Sequence, residues 1–291
     1  MVLSMTGYGR KTFELNGKNI VIEIKSLNSK AFDLNLRLPN LFREGEVNIR
    51  NIISRRILRG KIDCIINFEN NEDQKNGELN PTAVKEYYRQ LKNIADELQL
   101  PEQNIFDLVF RLPNVTTSAK EELTEEQWSY FLQMVESACD QLEQFRKDEG
   151  VNLATDLSLH NHGIEDVLIA IEKIDPERMQ HQRDKLLSDL KKYVPDEVAD
   201  MNRFEQELIY YLEKMDITEE VIRLRSHCMY FIETIEEITT EKGKKLGFIC
   251  QEMGREINTI GSKAYHADMQ RCVVMMKDEL EKIKEQLNNV L

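Results

Sequence analysis

The apolar pattern changes period along the chain, and that change limits the fold more than any other feature. In the first third the residues alternate. KNIVIEIKSLN sets Ile20, Ile22 and Ile24 against Val21, Glu23 and Lys25, and FDLNLRLP sets Phe32, Leu34, Leu36 and Leu38 on one side. Period two predicts strands. These two are expected to pair antiparallel across Asn28–Lys30, with Pro39 ending the pairing. The spacing of Val47, Ile49, Ile52, Ile53 and Ile57 predicts a helix over 44–58. Gly60 ends it, KIDCIINFE forms another strand, and a further helix starts at Pro81 behind Asn80.

From Pro101 onward apolar residues recur every three or four positions, which is helical spacing. Helices are predicted over 121–144 and 150–174, with breaks at Asp175-Pro176 and Pro195 and a thinly apolar, charged arm between those breaks. Residues 112–118 read as a loop. The fold class that follows is α+β: a small N-terminal α/β unit with antiparallel strands, then a long, mainly α-helical C-terminal region. The expected divisions are 1–155 for the N-terminal domain, 156–206 for a helical arm or connector, and 207–291 for a C-terminal helical domain.

Within the helical part, GKKLGFICQEMGREINTIGSKA (residues 243–264) sorts into three faces at about 100° per residue. Leu246, Ile249, Cys250, Met253, Ile257, Ile260 and Ala264 make a core stripe. Lys245, Glu252, Glu256, Thr259 and Lys263 make a second face. Gly247, Gln251, Gly254, Asn258 and Gly261 make a third. Gly and Asn are poor helix formers, so something is expected to approach that face closely. Glu252 and Glu256, one turn apart, can share a hard cation that prefers carboxylate oxygens. Arg255 and Lys263 can hold phosphate. The plainer alternative is a surface ladder of Lys245–Glu252 and Glu256–Lys263 pairs.

DITEEVIRLRSH (residues 216–227) is the second informative stretch. Asp216 and Glu219 have capping-box spacing. Asp216, Glu220, Arg223 and His227 share one edge of the wheel, within about 60°. Two acids, an arginine and a histidine so placed suit metal binding or acid–base work beside a phosphate. A ladder of Glu220–Arg223 and Arg223–His227 is the alternative.

Net charge is −13, yet residues 1–63 hold twelve Lys/Arg against six Asp/Glu, so the rest of the chain carries −19. The five cysteines have no CxxC spacing and read as reduced, mostly buried thiols. No apolar run reaches the roughly 18 residues of a membrane span. The first residues lack the apolar stretch of a secretory signal, and a cytoplasmic protein is expected. Nucleotide-loop, HExxH and GxSxG signatures are missing. In SMTGYGR the two glycines imply tight backbone geometry, and Tyr8 is either a base-stacking aromatic or a buried edge residue.

MTGYGR, EIKSLNSKAFDLNLRLP, LRGKI, FRKDEG, DITEEVIRLRSH and GKKLGFICQEMGREINTIGSKA occur in this order over nearly the whole chain, which resembles the YicC/YloC family of bacterial proteins. The resemblance implies a stress-linked endoribonuclease that cuts single-stranded RNA, depends on a divalent metal and assembles as a homo-oligomer, a hexamer by expectation. The family pattern differs at Lys244 (arginine), Gly247 (aspartate) and Gly254 (asparagine), so of the three glycines only Gly261 belongs to it.

Together these observations imply a metal-dependent endoribonuclease of bacterial RNA turnover. Glu220, Glu252 and Glu256 are the expected ligands of Mn²⁺ or Mg²⁺. His227, Arg223, Arg255 and Lys263 are the expected catalytic groups. RNA contacts are expected from Tyr8, Arg10, Lys25, Asn28, Lys30, Arg37, Arg55, Arg56, Arg59, Gln251 and Asn258. The alternative is a non-catalytic RNA-binding adaptor or chaperone that presents RNA to degradation enzymes. A third reading packs the Gly/Gln/Asn face against a second copy and sets the site between subunits.

Overall fold

The computed structural model describes residues 2–29, 31–57, 59–69, 78–99, 104–113, 115–117, 123–193, 201–239 and 242–291. It has an N-terminal four-stranded mixed sheet and a mostly helical remainder.

β1 (Gly7–Leu15) and β2 (Lys18–Leu27) form a hairpin. Asn16 and Gly17 make its two-residue turn with φ of 52° and 72°, the left-handed values that a primed hairpin turn requires. β3 (Phe32–Arg37) leads through a 3₁₀ turn (Asn40–Gly45) and α1 (Glu46–Arg56) to β4 (Gly60–Phe68). The strand order is β1-β2-β4-β3.

β2 and β3 therefore do not pair with one another, contrary to expectation. β4 lies between them, antiparallel to β2 and parallel to β3. Leu27 sits opposite Lys61 and Phe32 opposite Gly60, so the end of β2 and the start of β3 flank the start of β4 instead of facing one another. Gly60 permits this arrangement. Its φ is 124°, and a Cβ there would lie 3.1 Å from the carbonyl of Leu27. The α1 connection supplies the long crossover that a parallel pair needs.

β5 (Glu78–Leu79) pairs with β6 (Thr116–Thr117), giving the 112–118 loop a short strand. Between them lie α2 (Pro81–Glu97), capped by the Asn80 side chain on the Ala83 N–H at 3.1 Å, and α3 (Ile105–Val109).

α4 runs unbroken from Glu125 to Tyr193. The expected interruptions near Gly150 and at Pro176 are absent. Gly150 serves packing, since a Cβ there would fall 2.1 Å from the Val2 carbonyl oxygen. Pro176 removes one helical hydrogen bond, but the helix is held on both sides of it. Ile171 is buried, Glu172 takes two 2.8 Å hydrogen bonds from Arg225, and Arg178 is tied down on the far side.

α5 (Met201–Met215), α6 (Thr218–Glu236), α7 (Gly243–Lys263) and α8 (Ala267–Leu287) complete the chain. Two cores result, and α4 serves both. Its Phe131, Val135, Ala138, Cys139 and Leu142 cover the inner sheet face. Its Leu153, Leu157, Ile164, Leu168 and Ile171 pack with α6, α7 and α8. All seven residues of the predicted α7 core stripe are buried. Cys64, Cys139, Cys228 and Cys250 are buried free thiols, and burial pushes each up to about 12. Among the described residues no helix is long and apolar enough to cross a membrane.

Candidate active site

α6 starts behind Asp216, whose Oδ1 accepts the Thr218 backbone N–H at 2.9 Å and its hydroxyl at 2.6 Å. The Thr218 hydroxyl, then its N–H, hold the Asp216 carboxyl below the usual range, with Lys263 and Arg178 adding to the effect against some burial. The anticipated Asp216–Glu219 capping box does not form. The helix begins at Thr218 with Ile217 as its cap, so the acid lies one position too early, and Glu219 pairs with Arg223 instead.

At the far end of α7, Lys263 Nζ donates to Glu220 Oε1 and to the Asp216 carbonyl, both at 2.8 Å. Glu220 is buried, and its Oε2 has no hydrogen-bond partner among the described residues. Beneath this pair lies Arg178 of α4, 1% exposed. Its guanidinium donates to the carbonyl of Lys263 at 2.9 Å, to that of Met215 at 2.8 Å and to Asp175 Oδ1 at 3.0 Å. Met215 and Lys263 are the last residues of α5 and α7. The cation thus sits where two helix ends present unsatisfied carbonyls and negative dipole ends. Arg178 falls in the stretch expected as a charged arm beyond a helix break, and it is buried because α4 continues through Pro176.

The opposite end of the α6–α7 seam is fixed by Lys245, which bonds Glu237 Oε1 at 2.5 Å and lies 4.8 Å from the centre of the Tyr230 ring. The two helices are therefore antiparallel with a known register. Two turns on from Glu220 is His227, and two turns back from Lys263 is Glu256, which places these residues across the middle of the seam. His227 is half-buried. Glu256 is buried, and its carboxylate makes no hydrogen bond or ion pair among the described residues. Glu252 follows one turn further and accepts from Arg255 at 2.7 Å.

The seam brings Glu220, His227, Glu256 and Lys263 to one side, while Arg255 lies on the exposed outer stripe of α7, and two expectations are corrected. Neither predicted salt-bridge ladder forms: Glu220 pairs across helices, Arg223 with Glu219, and Glu252 with Arg255. Nor do Glu220, Glu252 and Glu256 converge. Among the described residues no three His, Cys, Asp or Glu side chains lie together as a metal centre. The register explains this, because Glu220 lies level with Lys263, eleven residues and about 16 Å along the axis from Glu252. Glu252 and Glu256, one turn apart, are the pair that remains fit to share a cation. Hard divalent cations are often held by one or two carboxylates with water and substrate phosphate.

On the third face of α7, what approaches is α8. A Cβ on Gly261 would lie 3.0 Å from Val273 Cγ1, and one on Gly254 3.3 Å from Leu280 Cδ2, while Gly247 faces open space. Gln251 and Asn258 stay exposed on a stripe with Phe248 and Arg255.

Of the remaining predicted residues, Tyr8, Arg10, Lys25 and Arg37 lie on the sheet, Arg55 and Arg56 on α1, and Asn28 and Arg59 beside the strand ends. The sheet's outer face shows the cross-strand rows Tyr8–Lys25–Asp63–Asn35 and Arg10–Glu23–Ile65–Arg37. The inner positions of β1 explain the glycines of SMTGYGR, since α4 lies against this strand. A Cβ on Gly9 would fall 2.2 Å from the Ala138 carbonyl oxygen. Tyr8 points outward and is exposed, not a buried edge residue. Its hydroxyl donates to Glu23 at 3.2 Å, and partial burial and then that carboxylate raise its pKa.

Several of the cations are engaged within the fold. Arg10 lies near Glu23 and Glu69 at 3.8 and 3.6 Å. Arg56 binds Glu143 at 2.8 Å and also Asp140, and these hydrogen bonds raise its pKa further. Asn28 donates to the Asn288 carbonyl, and Arg59 to that of Ser29 at 3.0 Å. Arg37 and Arg55 are exposed and make no ion pair among the described residues. Arg37 lines a cleft of about 480 Å³ with Arg43 and Glu46. Lys30 lies outside the described residues.

Two family models cover this chain. The model for the N-terminal region of endoribonuclease YicC-like proteins matches residues 2–155, and that for the C-terminal region matches residues 171–291. A protein of Clostridioides difficile named "Probable endoribonuclease YicC" is 32% identical, with 100% of both chains covered. One of Haemophilus influenzae with the same name is 28% identical, again over 100% of both. From its first strand to its last helix, this chain belongs to the YicC-like family.

Proposed function

We propose that this chain is an endoribonuclease that cuts single-stranded RNA at the α6–α7 seam with the help of a divalent metal. One observation carries the placement. By helix register His227, Glu256, the Glu220 carboxylate with one buried unpartnered oxygen and the positioned Lys263 line one seam, in a chain whose full-length relatives are named probable endoribonucleases.

His227 accepts the proton of the attacking hydroxyl, whether of water or of the RNA's own 2′-OH; as that oxygen bonds to phosphorus, the ester oxygen opposite it leaves and takes a proton from water. Lys263 spends two of its three N–H groups on Glu220 and the Asp216 carbonyl, so its third is aimed and free for a phosphate oxygen. Arg255 and Arg223, both exposed, add charge against the developing dianion. Glu252 and Glu256 would hold Mn²⁺ or Mg²⁺, which would polarise the scissile phosphate. The sheet's outer face and the free Arg37 and Arg55 bind the RNA strand, and Gln251 and Asn258 extend that contact on α7. Exposed Ile222 and Met229 on α6 and Val274 and Met275 on α8 support assembly with further copies in the cytoplasm.

The test is cleavage of an end-labelled, unstructured RNA with Mn²⁺ or with EDTA, beside a Glu252→Gln/Glu256→Gln variant purified identically. Metal-dependent cutting that the variant loses supports the reading. Equal cutting by both moves the site elsewhere. RNA binding without cutting favours the adaptor reading.

A further inference from the structure

The FRKDEG stretch (residues 145–150) divides into residues that build the fold and residues that do not. Arg146 is a buried strut. Its Nη2 donates to Ser26 Oγ at 2.6 Å, to the Met5 carbonyl at 3.2 Å and to the Arg59 carbonyl at 3.3 Å. Gly150 admits the Val2 carbonyl. Phe145 and Glu149 have neither duty. One turn apart on α4, they line a shallow slot of about 330 Å³ whose other walls include Tyr8, Lys25 and Leu27. Tyr8, Leu27 and Phe145 are all exposed large apolar side chains. Lys25 Nζ lies 5.7 Å from the centre of the Tyr8 ring. Glu149 is half-buried, yet its carboxylate has no ion pair or hydrogen bond among the described residues.

We propose that this slot holds a guanine base of single-stranded RNA. The proposal rests on the RNA reading above and adds base selectivity to it. Flat aromatic and apolar walls take any nucleobase by stacking. The carboxylate decides which. An ionised glutamate only accepts hydrogen bonds, so it matches an edge that offers two adjacent donors. Guanine does so with its N1–H and its 2-amino group. Adenine and cytosine set a ring-nitrogen acceptor beside their single amino group, and uracil flanks its N3–H with two carbonyls, so each points a lone pair at the carboxylate. Lys25, on the rim, meets the adjoining phosphate and fixes the strand's position without reading it. The volume lies at the lower end of the roughly 300–1,000 Å³ usual for small-ligand pockets.

Fluorescence anisotropy of the full chain in EDTA, with a short labelled A/C oligomer carrying one central guanine, inosine or adenine, tests this. Inosine keeps N1–H and lacks the 2-amino group. Wild-type protein should bind the guanine oligomer about tenfold tighter than the inosine one, and the adenine one more weakly still. Glu149→Gln should bring the three within about twofold of each other, whereas Tyr8→Ala should weaken all three alike. Equal wild-type affinity for the three would overturn the proposal without recourse to any variant. So would a guanine preference that survives in a folded Glu149→Gln protein. The ranking needs no cutting, so failure of the cleavage assay leaves it readable. Failure to bind RNA at all would sink both readings.

Discussion

Arg178 holds the final carbonyl of α7, that of Lys263, at 2.9 Å, while the side chain of the same Lys263 reaches back to Glu220 at 2.8 Å. One residue is therefore fixed from both ends. Its backbone is set by α4 and its ammonium by α6.

Removing that guanidinium should be costly. Arg178→Ala would strand the Met215 and Lys263 carbonyls and leave Asp175 without its partner. About 3 kcal/mol of stability should be lost, as urea unfolding would show. Arg178→Lys keeps the charge but not the planar fork, and should recover less than half of that. A loss below about 1 kcal/mol for Arg178→Ala would mean that the hub is dispensable.

The Glu220–Lys263 pair predicts non-additivity. Either Glu220→Gln or Lys263→Met leaves its partner without a counter-charge at a mostly buried position. The double variant should be more stable than the sum of the single losses predicts, by about 1–2 kcal/mol. A double-mutant cycle with no coupling would show that the two side chains do not feel one another.

Asp216 predicts an acid dependence. Its folded pKa is lowered by the Thr218 hydroxyl and N–H, with Lys263 and Arg178 nearby. A depressed carboxyl stabilises the fold above its unfolded value of about 4, and that contribution disappears as pH falls through the folded value. Asp216→Asn should therefore give a flatter stability curve below about pH 4 than the wild type. Glu279, lowered by Lys282 and His160, and Glu237, lowered by Lys245, should contribute to the slope that remains. Parallel curves in a pH series of thermal melts would contradict this.

Two glycines should respond in opposite senses to alanine. At Gly9 the added Cβ would meet the Ala138 carbonyl oxygen at 2.2 Å, and the helix backbone cannot yield, so about 3 kcal/mol should be lost. Gly247 lies inside α7 with nothing within 4 Å of its Cβ position. There Gly247→Ala should add about 1 kcal/mol through helix propensity alone. Denaturant midpoints of the two variants decide both statements.

Local pattern carried much of this fold. The alternation of Ile20, Ile22 and Ile24 and the stripe from Leu246 to Ala264 place their residues in the core as read. β1 escaped notice because two of its inward positions are Gly7 and Gly9, which leave the alternation blank. The Asn16–Gly17 turn was the signal that could have revealed it. Strand order lay beyond local pattern, since β2 shows the same alternation whether its neighbour is β3 or β4. Helix faces at the site were legible for the same periodic reason. Partners across helices were not, because Glu220 and Lys263 are joined by register, and register depends on packing.

The continuity of α4 turns the molecule into a measuring rod. Glu149, beside the sheet, and Arg178, under the seam, stand on one helix about 44 Å apart at 1.5 Å per residue. No loop or hinge intervenes among these residues. A strand of RNA held by its base at one mark and cut at the other would be cut at a set interval from that base, with the interval written in the length of a helix.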